Sequence, residues 1–179
     1  MKARALRRPA VLIGCLWFCF HAWGQEKKHL SAIPNGFQFS GAWDCEGAMG
    51  NGKVHKSAFH GAVILDGTWL ELTERDIEPA TGYVAKYLIG FDSRTGGLVE
   101  FDANNFSAAT YASSDGWTNG ALTMTSPVSD DPKAPYSANR FVYTMASANA
   151  FTVDWQISRD RGLTWKAGDH LGCYRAAGA

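Results

Sequence analysis

The sequence predicts an all-β protein, a closed antiparallel up-and-down barrel of about ten strands with little helix. Three observations predict it. From Phe37 onward apolar and polar residues alternate, and no segment shows the 3.6-residue period of a helix. Turn signals such as Gly50-Asn51-Gly52, Asp66-Gly67, Asp115-Gly116 and Arg159-Asp160-Arg161-Gly162 recur along the chain, at roughly the eight-to-twelve-residue spacing of short strands. Cys45 lies in the first strand and Cys173 in the last, so the two ends of the sheet are placed to meet, and a sheet that closes removes its own edges. Links of hairpin length, with no long Greek-key crossover, favour the barrel over a two-sheet sandwich.

The bulk numbers agree with one globular domain. The chain has 179 residues, 46% hydrophobic and 19% charged, which excludes a disordered chain. Its formal net charge is zero, but the first 24 residues carry Lys2, Arg4, Arg7 and Arg8 and no acid. Removing those four from 17 basic residues leaves 13 against 17 acidic ones. No basic stripe is present, so a nucleic-acid partner is not expected.

The N-terminus reads as a secretory signal peptide over residues 1–24. Met1 to Arg8 is a positive region, Ala10 to Phe20 an apolar core, and Ala22-Trp23-Gly24 a small-residue cleavage site. Leu12-Ile13-Gly14-Cys15 also resembles a lipobox, which would lipidate Cys15, although the apolar run continues beyond that cysteine. No other stretch approaches the ~18–20 apolar residues of a membrane span. The expectation is an exported, periplasmic or secreted protein without stable membrane insertion. Cleavage would leave Cys45 and Cys173 in an oxidising compartment, where a disulfide is the expected state. A free thiol pair or a metal site are the alternatives; no Cys-x-x-Cys or paired histidines accompany them.

Residues 25–36 are polar and read as a tether with no fold of its own, leaving 37–175 as the barrel domain and 176–179 as a tail. The predicted strands are 40–47, 54–65, 68–76, 83–91, 97–102, 106–113, 117–125, 139–146, 150–158 and 163–175. In the third, Trp69, Glu71, Thr73 and Arg75 share one face and Leu70 and Leu72 the other. In the fourth, Tyr83, Ala85, Tyr87, Ile89 and Phe91 share a face, and in the ninth Phe151, Val153, Trp155 and Ile157 do. Residues 126–137, with Pro127, Pro132 and Pro135, form the longest loop. Setting Cys45 opposite Cys173 puts Trp43 opposite Arg175, so the guanidinium can lie on the indole at the closing seam.

Several of these residues also carry a resemblance. Gly41-x-Trp43-x-Cys45-x-Gly47 resembles the Gly-x-Trp opening of lipocalin-like (calycin) barrels. With Leu65-Asp66-Gly67-Thr68-Trp69-Leu70, Tyr87-Leu88-Ile89-Gly90-Phe91-Asp92, Ser113-Ser114-Asp115-Gly116-Trp117 and Gly172-Cys173-Tyr174-Arg175, the ordered set is similar to a family of exported bacterial lipocalin-like proteins. The resemblance spans residues 37–175 and implies a ligand-sized barrel, with no ligand or activity to carry over.

The function expected is therefore binding of a small, largely apolar or aromatic molecule. Candidate ligand-binding residues are Trp43, Trp69, Tyr87, Asp102, Tyr143 and Trp155, since rings with polar tips suit an amphipathic guest. The rival is an enzyme of isomerase or lyase type in the same cavity, as in some calycin-like barrels with an interior Tyr, Arg and Glu. Glu71, Arg75, Glu100, Asp102 and Asp154 could supply an acid–base pair for it. No Gly-x-Ser-x-Gly or phosphate-cradling glycine loop is present, so no catalytic residue is assigned. His55 and His60 face opposite sides of one strand and cannot share a metal, so they read as exposed or locally satisfied. His170 near the chain end is a weak haem-ligand candidate, by resemblance to nitrobindin-type barrels that bind iron through one histidine; its parity opposes Leu171 and Cys173, so it faces inward only if they do not. No cofactor is otherwise expected, and nothing in the sequence fixes the oligomeric state.

Overall fold

The structure, a computed structural model, describes residues 29–177. The signal peptide, Cys15 and the end of the C-terminal tail lie outside the described residues. Ten antiparallel strands form one closed barrel: β1 (Gly41–Met49), β2 (Val54–Ile64), β3 (Trp69–Glu78), β4 (Val84–Asp92), β5 (Gly97–Asn104), β6 (Ala108–Ser113), β7 (Ala121–Thr125), β8 (Ala138–Ser147), β9 (Ala150–Ser158) and β10 (Lys166–Arg175). Each strand pairs with its sequence neighbours, and β1 pairs with β10. No helix occurs among the described residues.

The closing seam has the expected register. Trp43 pairs with Arg175 and Cys45 with Cys173, and the two cysteines form a disulfide across 128 residues of chain. Such a crosslink removes loop-closure freedom from the unfolded chain, typically ~2–4 kcal/mol. The Arg175 guanidinium lies 4.2 Å from the centre of the Trp43 ring, and its Nη1 and Nη2 donate to the Ser40 and Gln38 carbonyls at 2.9 Å each.

Strand alternation sorts the side chains. Leu70 and Leu72 face in, as do Tyr87 and Ile89, Leu122 and Met124, and Phe151 and Val153, all of them buried. Two sequence expectations are corrected. Residues 117–120 are not strand: Asn119 and Gly120 take positive φ in a tight turn closed by reciprocal backbone bonds between Thr118 and Ala121. The segment before β1 is not a bare tether either. In its described part Leu30 and Ala32 are buried, and the Trp117 indole N–H donates to the Ala32 carbonyl at 3.0 Å.

That segment seals one end of the barrel. Phe37, Phe39, Trp43 and Phe151 meet there with ring centroids 4.7–6.2 Å apart. The Trp43 indole N–H, which would be costly to bury unpaired, donates to the Phe39 carbonyl at 2.7 Å. Phe39 crosses directly over Gly61, where any Cβ would come within 2.1 Å of the Phe39 carbonyl oxygen, so only glycine fits that crossing. The opposite end, where β1–β2, β3–β4, β5–β6, β7–β8 and β9–β10 are linked, carries no such plug among the described residues.

Candidate functional site

The unplugged end opens into a cavity of about 860 Å³, within the ~300–1,000 Å³ range of small-molecule sites. Its walls combine rings (Tyr83, Tyr87, Tyr111, Tyr136, Phe141 and Trp155) with ionisable and amide side chains (His55, Glu74, Asp76, Asp102, Asn139 and Asp169). Local sequence explains how each arrives. The alternation that buries Leu70 and Leu72 continues to Glu74 and Asp76, and that of Leu98 continues to Glu100 and Asp102. On β2 the inward series is His55, Ser57 and Phe59. On β10 a bulge between Ala167 and Asp169 breaks the register with β9. Trp155 packs flat on Gly168 at this bulge, where a Cβ would come within 2.3 Å of the indole.

One side of the cavity is a connected polar network. His55 is held between two carboxylates, Nδ1 at 2.6 Å from Asp169 Oδ2 and Nε2 at 2.9 Å from Asp76 Oδ1. Burial alone would lower its pKa; the hydrogen bonds and charges of Asp169 and Asp76 overcome this and push it up to about 9, so it is an imidazolium at neutral pH. The Ser57 hydroxyl donates to Glu74 Oε1 at 2.9 Å, and the Tyr87 hydroxyl donates to Glu74 Oε2 at 2.7 Å. Tyr83 and Tyr87 hydroxyls are 3.1 Å apart. Burial pushes Glu74 up to about 7 against the lowering effect of these hydrogen bonds.

The groups on β5 and β8 are less satisfied. Asp102 is 6% exposed and its pKa is raised by burial, with Asn104 Nδ2 at 3.1 Å as its hydrogen-bond donor. Glu100, just inside it on β5, is fully buried and pushed up to about 8 by desolvation and then by the Asp102 charge. Tyr143 donates to Glu100 Oε2 at 3.3 Å, while Glu100 Oε1 and Asn139 Oδ1 are buried without a partner among the described residues.

His55, Glu74 and Asp76 each offer a ligand atom, all within 4.8 Å of one another. These atoms are gathered about the Ser57 hydroxyl, which lies 3.1 Å from His55 Nε2, 2.9 Å from Glu74 Oε1 and 3.2 Å from Asp76 Oδ1. A metal at their centre would have to displace that hydroxyl and the His55 proton. The arrangement is better described as a hydrogen-bond hub.

Of the sequence candidates, Tyr87, Asp102 and Trp155 line the cavity. Tyr143 is inward but buried at its floor against Glu100. Trp43 belongs to the aromatic plug at the other end. Trp69 is a correction: with Leu70 and Leu72 inside, it faces outward, lying across Gly90 and stacking 6.2 Å from Phe101. Parity also removes Glu71, Arg75 and Asp154 from the interior; Glu71 pairs outside with Lys86 at 3.1 Å. His170 is outside as well, bonded to Asp154 at 2.7 Å and 52% exposed, so it offers the cavity no iron ligand. His60 is exposed on the outer face, whereas His55 is the buried, satisfied one. Sequence reading missed Glu74, Asp76, Ser57, Asn139 and Asp169. Extending the Leu70–Leu72 alternation two steps would have found the first two.

Compared with known proteins, the chain matches no protein-family model and no curated protein. The class of protein is therefore set by fold and site: a disulfide-linked ten-stranded barrel, sealed at one end and hollow at the other.

Proposed function

We propose that this protein is an exported lipocalin-like barrel that binds a small, largely aromatic molecule at its open end. The observation that carries this is the cavity itself: about 860 Å³, bordered by seven Phe, Tyr and Trp rings, in a barrel whose other end is plugged. Export is supported by the signal-like N-terminus and the Cys45–Cys173 bond. No helix among the described residues is long and apolar enough to cross a membrane. Outward strand positions include Asp44, Glu46, Arg75 and Lys86, whereas a lipid-facing barrel wall carries an apolar band. This supports a barrel that works in water.

Native mass spectrometry of the protein recovered from its own exporting host tests the reading. A co-purifying mass released on denaturation is expected. Consistent emptiness, with no stabilisation by any member of an aromatic panel, would overturn it.

One observation favours acid–base catalysis as a second reading. Glu74, poised near neutrality, faces the cavity within a chain of hydroxyls from Ser57, Tyr87 and Tyr83. Catalysis requires the guest to change mass or structure during incubation, and Glu74→Gln to stop that change. A guest recovered unchanged leaves binding as the function.

A further inference from the structure

The charges inside the cavity are one-sided. Glu74, Asp76, Asp102 and Asp169 line it, His55 is the single basic side chain to do so, and no lysine or arginine among the described residues does. His55 is already shared between Asp76 and Asp169. Asp102, two strands from β3 on β5, is almost fully buried with an amide and no cation beside it. An anionic guest, the usual partner of an interior arginine, would meet four carboxylates here.

A second observation points the same way. Asn139 is 7% exposed and lines the cavity, and its carbonyl Oδ1 is buried with no donor. A buried acceptor without a donor is costly, and a guest carrying N–H groups or positive charge would relieve it. Tyr111 and Phe141 border the same space with ring centroids 5.2 Å apart, and Tyr87 stands 5.5 Å from Phe141. Ring faces attract cations, and several rings around an ammonium group hold it by cation–π attraction, most strongly where water is excluded.

We propose that the guest is an organic cation: an amine or quaternary ammonium group on an aromatic or apolar body, its charge set against Asp102 and Asn139 among the rings of Tyr111 and Phe141. The proposal rests on the binding function above and names its ligand class. The apolar body takes up the aromatic wall toward Tyr136 and Trp155, which pack edge to face at 5.8 Å. The network of His55, Asp76 and Asp169 stays intact, held by the two hydrogen bonds of the His55 ring.

Calorimetric titration with three probes that share a phenyl body tests this: phenethylamine, 2-phenylethanol and 3-phenylpropionate, at pH 7.5. Phenethylamine is expected to bind about tenfold more tightly than the alcohol, the scale of one charge-assisted hydrogen bond, and phenylpropionate more weakly than either. Asp102→Asn should bring the amine-to-alcohol ratio toward one. Asn139→Leu should weaken the amine more than the alcohol. The wild-type ratio decides without either variant, so a variant that fails to fold does not blunt the test. Equal or tighter binding of the alcohol or the acid would overturn the cation assignment and leave the aromatic-binding reading standing. No heat from any of the three, and none from a wider aromatic panel, would overturn both.

Discussion

At the sealed end, Phe37, Phe39, Trp43 and Phe151 meet with their few polar atoms paired, and the disulfide and Arg175 tie the first strand to the last. At the open end the same inward-facing positions carry His55, Glu74, Asp76 and Asp102, and the pKa values of His55, Glu74 and Asp102 are raised. One sheet thus runs from a region shaped for stability to one that keeps buried charge at a cost to stability. Desolvated acids and orphaned acceptors are poor contributors to folding. Their concentration in the hollow half is what the proposed binding site would require.

The largest expected effect is at the plug. Trp43→Ala removes a fully buried indole and the platform beneath Arg175, and should cost ~3–5 kcal/mol in urea unfolding. Removing the crosslink with Cys45→Ser together with Cys173→Ser should cost ~2–4 kcal/mol, read from the same denaturation curves. A small loss from Trp43→Ala would mean that the plug is not what holds the barrel shut.

The two ends also differ in how far they were legible in the sequence, and for a physical reason. Alternation reveals an inward face when that face is apolar. It therefore grouped the Tyr83–Phe91 face and the Phe151–Ile157 face, and the cysteine pair fixed the Trp43–Arg175 register; on β3 it separates Leu70 and Leu72 from Trp69 without saying which face is inward, and Trp69 was the one expected in the cavity. At the mouth the inward residues are polar, so Glu74, Asp76 and Ser57 carry the same spacing but read as solvent-facing. The Asp169–His55 contact joins residues 114 apart in sequence, and local pattern holds no trace of it. The part of the plug contributed by residues 30–36 was hidden for the opposite reason: a few apolar residues without regular structure in a polar stretch read as linker until their neighbours are known.

The next effect separates the ends by pH. Glu74 and Glu100 have folded pKa values of about 7 and about 8, and His55 of about 9, each above its unfolded value. All three bind protons more tightly in the fold, so the stability they contribute is full below their unfolded values and is lost as pH rises through the folded ones. Stability should fall by at least ~2 kcal/mol between pH 5 and pH 9, followed as unfolding midpoints across that range. A flat or rising profile would contradict the charge states assigned to the mouth. The smallest effect is that of Glu100→Gln, which replaces an acid already neutral at low pH. At pH 5 it should change stability by less than ~1 kcal/mol, and it should make the decline toward pH 9 visibly shallower.

The most direct test of the central claim, that the open end is the binding site, is to map where a guest lands. Backbone amide shifts should be followed by NMR during titration with phenethylamine. Perturbations gathered at His55, Tyr87, Asp102, Asn139 and Trp155, with Phe37, Trp43 and Trp117 unmoved, are the predicted result. Shifts centred on the plug, or scattered over the outer face around Trp69 and Phe101, would contradict it.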